Sequence, residues 1–284
     1  MRVLEDFSLS NFSTIGIGGK SRYFTKVKNE DDMRRAFDFS NKKKIPFFVL
    51  GKGSNIVFDD KGFFGLIIKN EIDFLRIDKN RVEVGSGFSL QKLSRMVSKK
   101  NLSGLEFAGG IPATVGGAVY MNASSNNMEI SSYLEEIRFL TIDGKIEIFK
   151  KKDLFFGYRY CSIKKKRGAI ISLVFLFKNS FKVEKRLNKF LEKKKKMQPI
   201  YEKSAGCVFK NPKNNIAAKL IEGCGLKGKI IGDAKISNVH ANFIVNSNNA
   251  SSKDVLDLIS LIVEEVKKKY EVELEKEIIY VPYV

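Results

Sequence analysis

The most informative segment of the sequence is an uncharged, glycine-rich run, Ala108-Gly109-Gly110-Ile111-Pro112-Ala113-Thr114-Val115-Gly116-Gly117-Ala118-Val119-Tyr120-Met121-Asn122-Ala123. Glycine is used where the backbone takes a positive φ or comes close to another group, and proline removes a backbone donor. Backbone N–H groups that no side chain covers suit a phosphate or pyrophosphate. The run matches neither the Gly-x-Gly-x-x-Gly fingerprint nor a P-loop. It therefore predicts either a phosphate-binding loop with exposed amides or a plain turn.

A second glycine-rich turn, Gly51-Lys52-Gly53-Ser54-Asn55, follows the apolar run Phe47-Phe48-Val49-Leu50. The apolar run is typical of a buried strand. Backbone amides and a hydroxyl group at the end of a strand can hold phosphate oxygens. From the residues alone, both glycine-rich turns are interpreted as phosphate-like binding loops, and no particular ligand follows.

Taken together, the two turns carry a resemblance to a known family. Leu-Gly-x-Gly-Ser-Asn, followed later by Gly-Ile-Pro-x-Thr-Val-Gly-Gly-Ala-x-x-Met-Asn-Ala, closely resembles the UDP-N-acetylenolpyruvoylglucosamine reductases, FAD enzymes of peptidoglycan precursor synthesis. The resemblance implies an α+β fold, with a two-lobed FAD-binding domain of the vanillyl-alcohol oxidase type and a smaller C-terminal α+β substrate domain. It also implies that the following residues bind a non-covalent FAD: Gly51, Lys52, Gly53, Ser54, Asn55, Gly109, Gly110, Ile111, Pro112, Thr114, Gly116 and Gly117.

Length and composition agree with a globular protein of two or three domains. The chain has 284 residues, of which 43% are hydrophobic and 29% charged, and both fractions are ordinary. The first fourteen residues lack a signal-peptide pattern, and no apolar run is long enough to span a membrane. Three cysteines without a C-x-x-C pair predict a reduced, cytoplasmic protein, and a single histidine without a Cys/His cluster argues against a zinc site.

The net charge of +19 leaves two interpretations open. A basic protein can bind nucleic acid, an anionic membrane surface or an anionic small molecule. The lysines come in scattered runs, such as Lys42–Lys44 and Lys267–Lys269, without interleaved aromatic residues. This distribution favours a solvated surface, so we expect neither a nucleic-acid partner nor a membrane partner.

Local signals predict the order of the elements. Asn29 and Ser89 are predicted to cap helices, and Asp143-Gly144 is a strong hairpin signal. The apolar run 168–177 predicts a fully buried strand. Further predictions are helices at 181–197, around 217–222 and across 255–266, and a closing strand or strand pair at 272–281. We place the FAD-binding domain at 1–180, with lobes of about 1–60 and 61–180, and the substrate domain at 181–284.

The segment Phe156-Gly157-Tyr158-Arg159-Tyr160-Cys161 contains a candidate catalytic arginine. From its surroundings alone, an arginine among aromatic residues is either a stacked structural residue or a functional cation. The segment is similar to the family motif Phe-x-Tyr-Arg-x-Ser, ending in cysteine instead of serine. The resemblance implies that Arg159 stabilises the charge developing on the enolpyruvyl carboxylate and that Tyr158 contacts the substrate.

A second motif, Ser204-Ala205-Gly206-Cys207-Val208-Phe209-Lys210-Asn211-Pro212, resembles the family's Gly-Ser-x-Phe-Lys-Asn-Pro segment. In the family, the serine donates a proton to C2 of the substrate, and Cys207 takes that place here. A lone cysteine is usually a small buried hydrophobe. An ordinary thiol, with a pKa of about 8.5, is nevertheless a far stronger acid than a hydroxyl group. The resemblance implies that Asn211 contacts the substrate.

Three further assignments follow from the resemblance. Glu277, in Leu-Glu-Lys-Glu-Ile, matches the family's Leu-Glu-Pro-Glu-Val and is implied as the acid that helps to polarise or protonate the enolate. Lys194 and Lys195 lie where the family often has an arginine near the UDP-sugar, and either lysine can serve the diphosphate as a point charge. We expect His240 to orient its loop and not to act in catalysis.

The family motifs occur in order over roughly residues 11–281, without the tyrosine-bearing insertion of longer family members. The hypothesis is therefore a monomeric reductase that uses FAD and NADPH to convert UDP-N-acetylglucosamine enolpyruvate to UDP-N-acetylmuramate. The nearer rival is a flavin oxidase or dehydrogenase of the same fold, and the farther rival is a basic nucleic-acid-binding protein. Ser124 and Ser125 depart from the glycine and alanine usual in the family, and the sequence offers no reason for the change.

Overall fold

The computed structural model describes residues Met1–Tyr283. The α-helices are α1 (Glu30–Lys43), α2 (Leu90–Lys99), α3 (Val115–Tyr120), α4 (Val183–Met197), α5 (Ala217–Gly223) and α6 (Ser252–Tyr270). The strands are β1 (Val3–Ser8), β2 (Lys20–Val27), β3 (Phe47–Leu50), β4 (Ile56–Phe58), β5 (Phe63–Asn70), β6 (Leu75–Asp78), β7 (Arg81–Gly85), β8 (Leu102–Ser103), β9 (Ser124–Ser125), β10 (Met128–Glu129), β11 (Leu134–Thr141), β12 (Ile146–Lys150), β13 (Phe156–Gly157), β14 (Tyr160–Cys161), β15 (Gly168–Leu176), β16 (Lys178–Asn179), β17 (Lys203–Cys207), β18 (Ile230–Ile231), β19 (Ala234–Ile236), β20 (Phe243–Asn246) and β21 (Ile279–Val281). Short 3-10 helices occupy Ser10–Phe12, Glu106–Gly110, Ile130–Tyr133, Lys151–Asp153 and Ser162–Lys165.

The chain divides into two compact units, each built from several segments. Unit 1 contains Met1–Leu4, Phe24–Lys52 and Gly65–Lys193. Unit 2 contains Glu5–Tyr23, Gly53–Phe64 and Lys194–Val284. The domain limits proposed from the sequence, at residue 180 and near residue 60, stay predictions.

Unit 1 is organised around an antiparallel sheet with the strand order β12-β11-β15-β7-β6. Strand β15 lies at its centre, and its apolar residues are buried along most of their length. That burial agrees with the continuous apolar run in the sequence. The core between this sheet and helices α2 and α3 is formed by aliphatic and aromatic side chains, including Val84, Leu93, Val119, Leu173 and Phe175.

Unit 2 is organised around a smaller antiparallel sheet with the strand order β17-β20-β19-β18. Helix α6 carries the amphipathic pattern predicted from the sequence and buries Val255, Leu258, Ile262 and Val266. These side chains belong to one hydrophobic core with residues of α5 and β19. Strand β21 adds a parallel pair with β4, in which Ile279 lies opposite Ile56.

The local signals in the sequence are confirmed where short-range chemistry decides the structure. Asn29 and Ser89 cap α1 and α2 by accepting hydrogen bonds from the amides of Asp32 and Lys92. The Asp143-Gly144 turn joins β11 to β12 as an antiparallel hairpin. The chain combines helices with mainly antiparallel sheets, and the predicted α+β class is therefore confirmed.

Two expectations differ from the structure. The segment predicted as a closing strand or strand pair forms a strand only at Ile279–Val281, and an isolated bridge pairs Lys276 with Phe209. The glycine-rich run is not a loop throughout, because α3 begins at Val115. Among the helices of the described residues, none combines the length and the apolar character that a membrane crossing requires.

Candidate active site

The glycine-rich run of unit 1 uses most of its backbone amides within the protein. Thr114 caps α3 by accepting a hydrogen bond from the amide of Gly117 at 3.3 Å. The amides of Val115 and Gly116 donate to the carbonyls of Phe88 and Ser86, each at 2.9 Å. Ile111 and Ala113 also donate to carbonyls of the run. The expectation of a loop with exposed amides is therefore wrong for these four residues, since neighbouring carbonyls accept their hydrogen bonds.

Close packing explains the glycines at two positions of this run. A Cβ atom on Gly116 would lie 2.7 Å from Cβ of Ser86, and one on Gly109 would lie 2.2 Å from Cδ1 of Leu187. Gly117 differs, because it is exposed and its Cβ would meet only the Thr114 hydroxyl oxygen, at 3.2 Å. One glycine of the second pair thus serves packing, and the other leaves an open backbone surface.

The second glycine-rich turn meets the first within unit 1. A Cβ atom on Gly51 would lie 2.6 Å from Oγ1 of Thr114, so the two segments approach too closely for a side chain. The Lys69 ammonium group donates a hydrogen bond to the carbonyl of Gly51. Burial lowers the pKa of Lys69, and the nearby positive charge of Lys52 adds to this shift. The Gly51 turn therefore has two lysines beside it.

Gly53, Ser54 and Asn55 belong to unit 2, where other groups fix their backbone. Gly53 has φ of +69°, and its carbonyl accepts a hydrogen bond from the Thr14 amide at 3.2 Å. The Asn55 side chain donates to the carbonyl of Glu277 at 3.0 Å, and its own carbonyl accepts from the Ile279 amide at 2.9 Å. These bonds place Asn55, which is predicted to bind the cofactor, directly beside Glu277, which is predicted to be catalytic.

The amides of residues 51–55 contrast with those of the longer run. The hydrogen bonds of the described residues give these five amides no protein acceptor. Backbone N–H groups in a turn whose central glycine, Gly53, has a positive φ are a common arrangement for binding phosphate oxygens. The residues present therefore fit the pyrophosphate of a dinucleotide cofactor such as FAD.

Arg159 lies in unit 1, in the turn of the hairpin formed by β13 and β14. Its backbone is left-handed, with φ of +58°, and its carbonyl accepts a hydrogen bond from Lys164 Nζ at 3.2 Å. The guanidinium group lies 5.0 Å from the ring centre of Tyr158 and donates to the hydroxyl oxygen of Ser124. Tyr158 is half exposed. The structure therefore brings the two residues predicted in this motif together in one turn.

Cys207 ends strand β17 in unit 2, next to an irregularity in the sheet. The pairing register with β20 shifts between Ser204 and Cys207, and Gly206 between them has φ of +81°. A bulge of this kind re-aims the following side chain. The Val208 amide donates to the carbonyl of Asn242 at 2.9 Å, which fixes the chain directly after Cys207.

Glu277 is attached to the same segment through its backbone. Its amide donates to the carbonyl of Val208 at 2.8 Å, so the residue adjacent to Cys207 holds Glu277 directly. Together with the Asn55 bond to the Glu277 carbonyl, this contact brings Asn55, Cys207 and Glu277 together in unit 2. Three separate motifs of the sequence meet there.

Lys194 and Lys195, which are equivalent candidates in the sequence, differ in their burial in the structure. Lys195 is exposed, whereas Lys194 is half-buried. Burial lowers the pKa of Lys194, and its interaction with Cys207 opposes this shift. Burial therefore separates Lys194 from Lys195.

Asn211 and His240 have clear structural contacts. Asn211 Oδ1 accepts the amide of Ala217 at 3.0 Å, which supports the start of α5. His240 Nδ1 accepts the amide of Asn242 at 3.3 Å, and its ring packs edge-on against Phe243. Burial lowers the pKa of His240, and the charge of Lys227 lowers it further. These contacts agree with a role for His240 in orienting its loop.

Three residues that the structure places beside the predicted site residues are not identified by any motif in the sequence. Lys69 is the charged member of the buried strand β5, and a lone lysine in an apolar run was the available signal. Ser124 and Lys164 contact Arg159 from elsewhere in the chain. Among residues 1–283, no group of three or more histidine, cysteine, aspartate or glutamate side chains is arranged to hold a metal ion.

Two family profiles match the chain. The profile described as "FAD binding domain" matches residues 21–150, and the one described as "UDP-N-acetylenolpyruvoylglucosamine reductase, C-terminal domain" matches residues 198–281. Both profiles agree with the flavin and the C-terminal substrate domain expected from the resemblance.

Curated relatives and a solved structure agree with the profiles. UDP-N-acetylenolpyruvoylglucosamine reductase from Protochlamydia amoebophila is 46% identical over 276 residues, covering 97% of this chain and 92% of the relative. The enzyme of the same name from Prochlorococcus marinus is 41% identical over 98% of this chain and 97% of the relative. A crystal structure of UDP-N-acetylenolpyruvylglucosamine reductase from Thermus caldophilus superposes with a TM-score of 0.85 and 34% identity, covering 99% of this chain and 100% of that one. On these grounds, the chain belongs to the UDP-N-acetylenolpyruvoylglucosamine reductase family.

Proposed function

We propose that this protein is an FAD-dependent reductase that converts UDP-N-acetylglucosamine enolpyruvate to UDP-N-acetylmuramate with NADPH, for peptidoglycan precursor synthesis. The observation that carries the proposal is the meeting of Asn55, Cys207 and Glu277 in unit 2, in a chain that belongs to this family. NADPH as the reductant is part of the proposal. So are the cytoplasmic location, the monomeric state and the absence of nucleic-acid and membrane partners.

FAD binding is assigned to both glycine-rich segments. In unit 1, Gly51 would hold the pyrophosphate. Thr114 packs against this glycine, and Lys69 donates a hydrogen bond to its carbonyl. In unit 2, the amides of Gly53, Ser54 and Asn55 would donate to phosphate oxygens. The remaining FAD-binding residues are Lys52, Gly109, Gly110, Ile111, Pro112, Gly116 and Gly117. The chemistry supplied by bound FAD is hydride transfer to C3 of the enolpyruvyl group.

The protein's own residues handle charge and protons. Arg159 stabilises the negative charge that develops on the substrate carboxylate when a hydride is added. The Cys207 thiol gives its proton to C2, and Glu277 assists by polarising or protonating the enolate. Lys194 attracts the diphosphate of the substrate as a point charge, and Tyr158 and Asn211 complete the substrate contacts. Lys195 is a weaker candidate than Lys194 for attracting the diphosphate, because its exposed ammonium group is screened by solvent.

An anaerobic absorption experiment tests the proposed function. The purified protein is incubated with FAD, reduced with NADPH, and then mixed with the enolpyruvyl nucleotide. Flavin bands that bleach with NADPH and return with the nucleotide are expected. Bands that bleach but do not return would favour the rival oxidase or dehydrogenase with another substrate. A protein that takes up no flavin would contradict the proposal outright.

A cysteine comparison tests the proton donor. Cys207→Ala should lower the rate of flavin reoxidation by the nucleotide by about a hundredfold or more, because general acid catalysis contributes roughly that factor. Cys207→Ser should retain part of the rate. The control is Cys224→Ala, because Cys224 is another cysteine of unit 2 and its thiol donates only to the backbone carbonyl of Glu265 among the hydrogen bonds described. A Cys207→Ala protein that turns over at the wild-type rate would remove Cys207 from the mechanism.

A further inference from the structure

Ser124, whose departure from the family pattern the sequence left unexplained, lies in a tightly fixed hairpin. Strand β9 pairs with β10 so that Ser124 is opposite Glu129. The two residues of the turn, Asn126 and Asn127, have φ of +53° and +59°, which is the conformation of a two-residue hairpin turn. The position of Ser124 is therefore set by strand pairing and does not depend on a mobile loop.

A bridging asparagine ties this hairpin to the hairpin that carries Arg159. Asn122 Nδ2 donates to Glu129 Oε2 at 3.0 Å and to the carbonyl of Gly157 at 2.9 Å. Gly157 pairs with Tyr160, and Tyr158 and Arg159 form the turn between them. The strand carrying Ser124 and the turn carrying Arg159 are consequently held at a fixed separation.

The Arg159 side chain meets Ser124 across this connection. Its Nη1 group donates a hydrogen bond to the serine hydroxyl oxygen. Lys164 holds the Arg159 carbonyl at 3.2 Å, so contacts are present at both the backbone and the tip of the side chain. A guanidinium group carries five N–H donors in a rigid fork, and one bond to a serine is compatible with a bidentate contact to a carboxylate.

We infer that Ser124 is a positioning residue for Arg159, holding the guanidinium group in the orientation that receives the substrate carboxylate. This inference rests on the proposed function, which gives Arg159 that role. An arginine side chain has many rotamers, and a group that is already oriented before the substrate arrives stabilises the transition state without further reorganisation. A glycine at this position has no side chain and cannot make the contact.

The test separates the two half-reactions of the enzyme. Wild type, Ser124→Ala, Ser124→Thr and the control Ser125→Ala are reduced anaerobically with NADPH and then mixed with the enolpyruvyl nucleotide. Ser124→Ala should slow the limiting rate of flavin reoxidation by about tenfold, the size expected for one hydrogen bond to a charged group. Its reduction by NADPH, FAD content and melting temperature should match the wild type. Ser124→Thr, which keeps the hydroxyl group, should restore most of the rate.

Ser125 is the matched control, because it is the exposed neighbour of Ser124 in the same strand and its hydroxyl group accepts a hydrogen bond only from Asn126 among those described. Ser125→Ala should behave as wild type. Ser124→Ala at the wild-type reoxidation rate would overturn the inference, and so would an equal loss in Ser124→Thr.

A second measurement keeps the inference testable if the wild type is not reoxidised and the proposed function fails. In protein labelled with ¹⁵N-arginine, the Arg159 Nε–H signal, assigned with Arg159→Lys, should have a lower order parameter in Ser124→Ala than in wild type. Equal order parameters would overturn the inference independently of activity.

Discussion

The two glycine-rich segments of this chain use their backbone amides differently. In the longer run, the amides of Ile111, Ala113, Val115 and Gly116 donate to carbonyls of the protein. In residues 51–55, the described hydrogen bonds give the amides no protein acceptor. Because both segments are rich in glycine, the sequence predicts a phosphate-like loop for each.

The difference shows that glycine content alone does not identify a binding loop. Gly116 is required where the Cβ atom and backbone of Ser86 pack closely against it, and Gly109 faces the end of the Leu187 side chain. Gly53 is required by a left-handed backbone that leaves neighbouring amides unengaged. The first use stabilises the fold, and the second leaves donors available for a ligand.

The largest loss of stability is expected from a substitution in the shorter segment. Gly53→Ala would place a Cβ atom 2.0 Å from the Phe12 carbonyl oxygen, at a φ of +69°. Because the clash is with backbone and the conformation is strained, we expect the free energy of unfolding to fall by about 3 kcal/mol or more. Urea denaturation with and without FAD measures the loss.

Gly206→Ala is the control for this effect. Gly206 also has a left-handed backbone, but the nearest atom to its Cβ position is the Ser54 carbonyl oxygen at 3.6 Å. Strain without a clash should cost only about 1 kcal/mol. Equal losses in the two variants would show that the Phe12 contact is not the cause.

Removing the ion pair between Arg186 and Glu106, at the start of the longer run, should lower the free energy of unfolding somewhat less than Gly53→Ala does. Arg186 contacts Oε1 of Glu106 at 2.8 Å, and the Glu106 side chain is only 1% exposed. Arg186→Met leaves this carboxylate with its bonds from the Gly104 amide and the Ser103 hydroxyl group. We expect a loss of about 2–3 kcal/mol in urea denaturation. The exposed neighbour Lys185, changed to methionine, should have no measurable effect.

The adjacent residues Gly116 and Gly117 of α3 are expected to differ in how an alanine substitution changes stability. Gly116→Ala should destabilise the protein by about 2 kcal/mol, since its Cβ would lie 2.7 Å from Cβ of Ser86. Gly117→Ala should leave stability unchanged or raise it by up to about 1 kcal/mol, because Gly117 is exposed and alanine favours a helix. Thermal unfolding measures both changes. Because the proposed function assigns Gly117 to FAD binding, flavin fluorescence titration should nevertheless show weaker FAD binding for Gly117→Ala.

The smallest expected effect is a pH dependence at Glu106. Burial alone would raise the pKa of this carboxyl group, but hydrogen bonds from the Gly104 amide, Arg186 and Ser103 lower it below the ordinary value of 4.5. A lowered carboxyl pKa stabilises the folded protein above the unfolded-state pKa, and the contribution is lost as pH falls through the folded-state value.

Wild type should therefore be more stable than Glu106→Gln at neutral pH, by about 1 kcal/mol or more. The difference should shrink towards zero as the pH is lowered to about 3. Urea denaturation across this range tests the sign, and a difference that grows in acid would contradict it.

Much of the fold could be predicted because local chemistry decides it. The caps at Asn29 and Ser89, the bounds of β3 and the apolar face of α6 all follow from short-range patterns. Helix α3 could not be predicted in the same way, because adjacent glycines disfavour a helix. The carbonyls of Phe88 and Ser86, which fix its start, are brought there by the fold.

The site was predictable only as a set of motifs. No pattern in the sequence pairs Ser124 with Arg159, which is 35 positions away, because the contact depends on two hairpins joined by Asn122. Likewise, only burial separates Lys194 from Lys195. The assignment of catalytic and binding roles to these residues stays a prediction until the variants are measured.

The bond between Asn55 and Glu277 has a consequence for how the protein is made. The two residues are 222 positions apart, and β4 pairs in parallel with β21 just beyond them. During synthesis, the Gly53–Asn55 turn leaves the ribosome long before its partners exist. Contacts between such distant residues form late, because a long loop must close first. We therefore expect flavin capture to follow translation, and nascent chains stalled before residue 277 to bind FAD weakly.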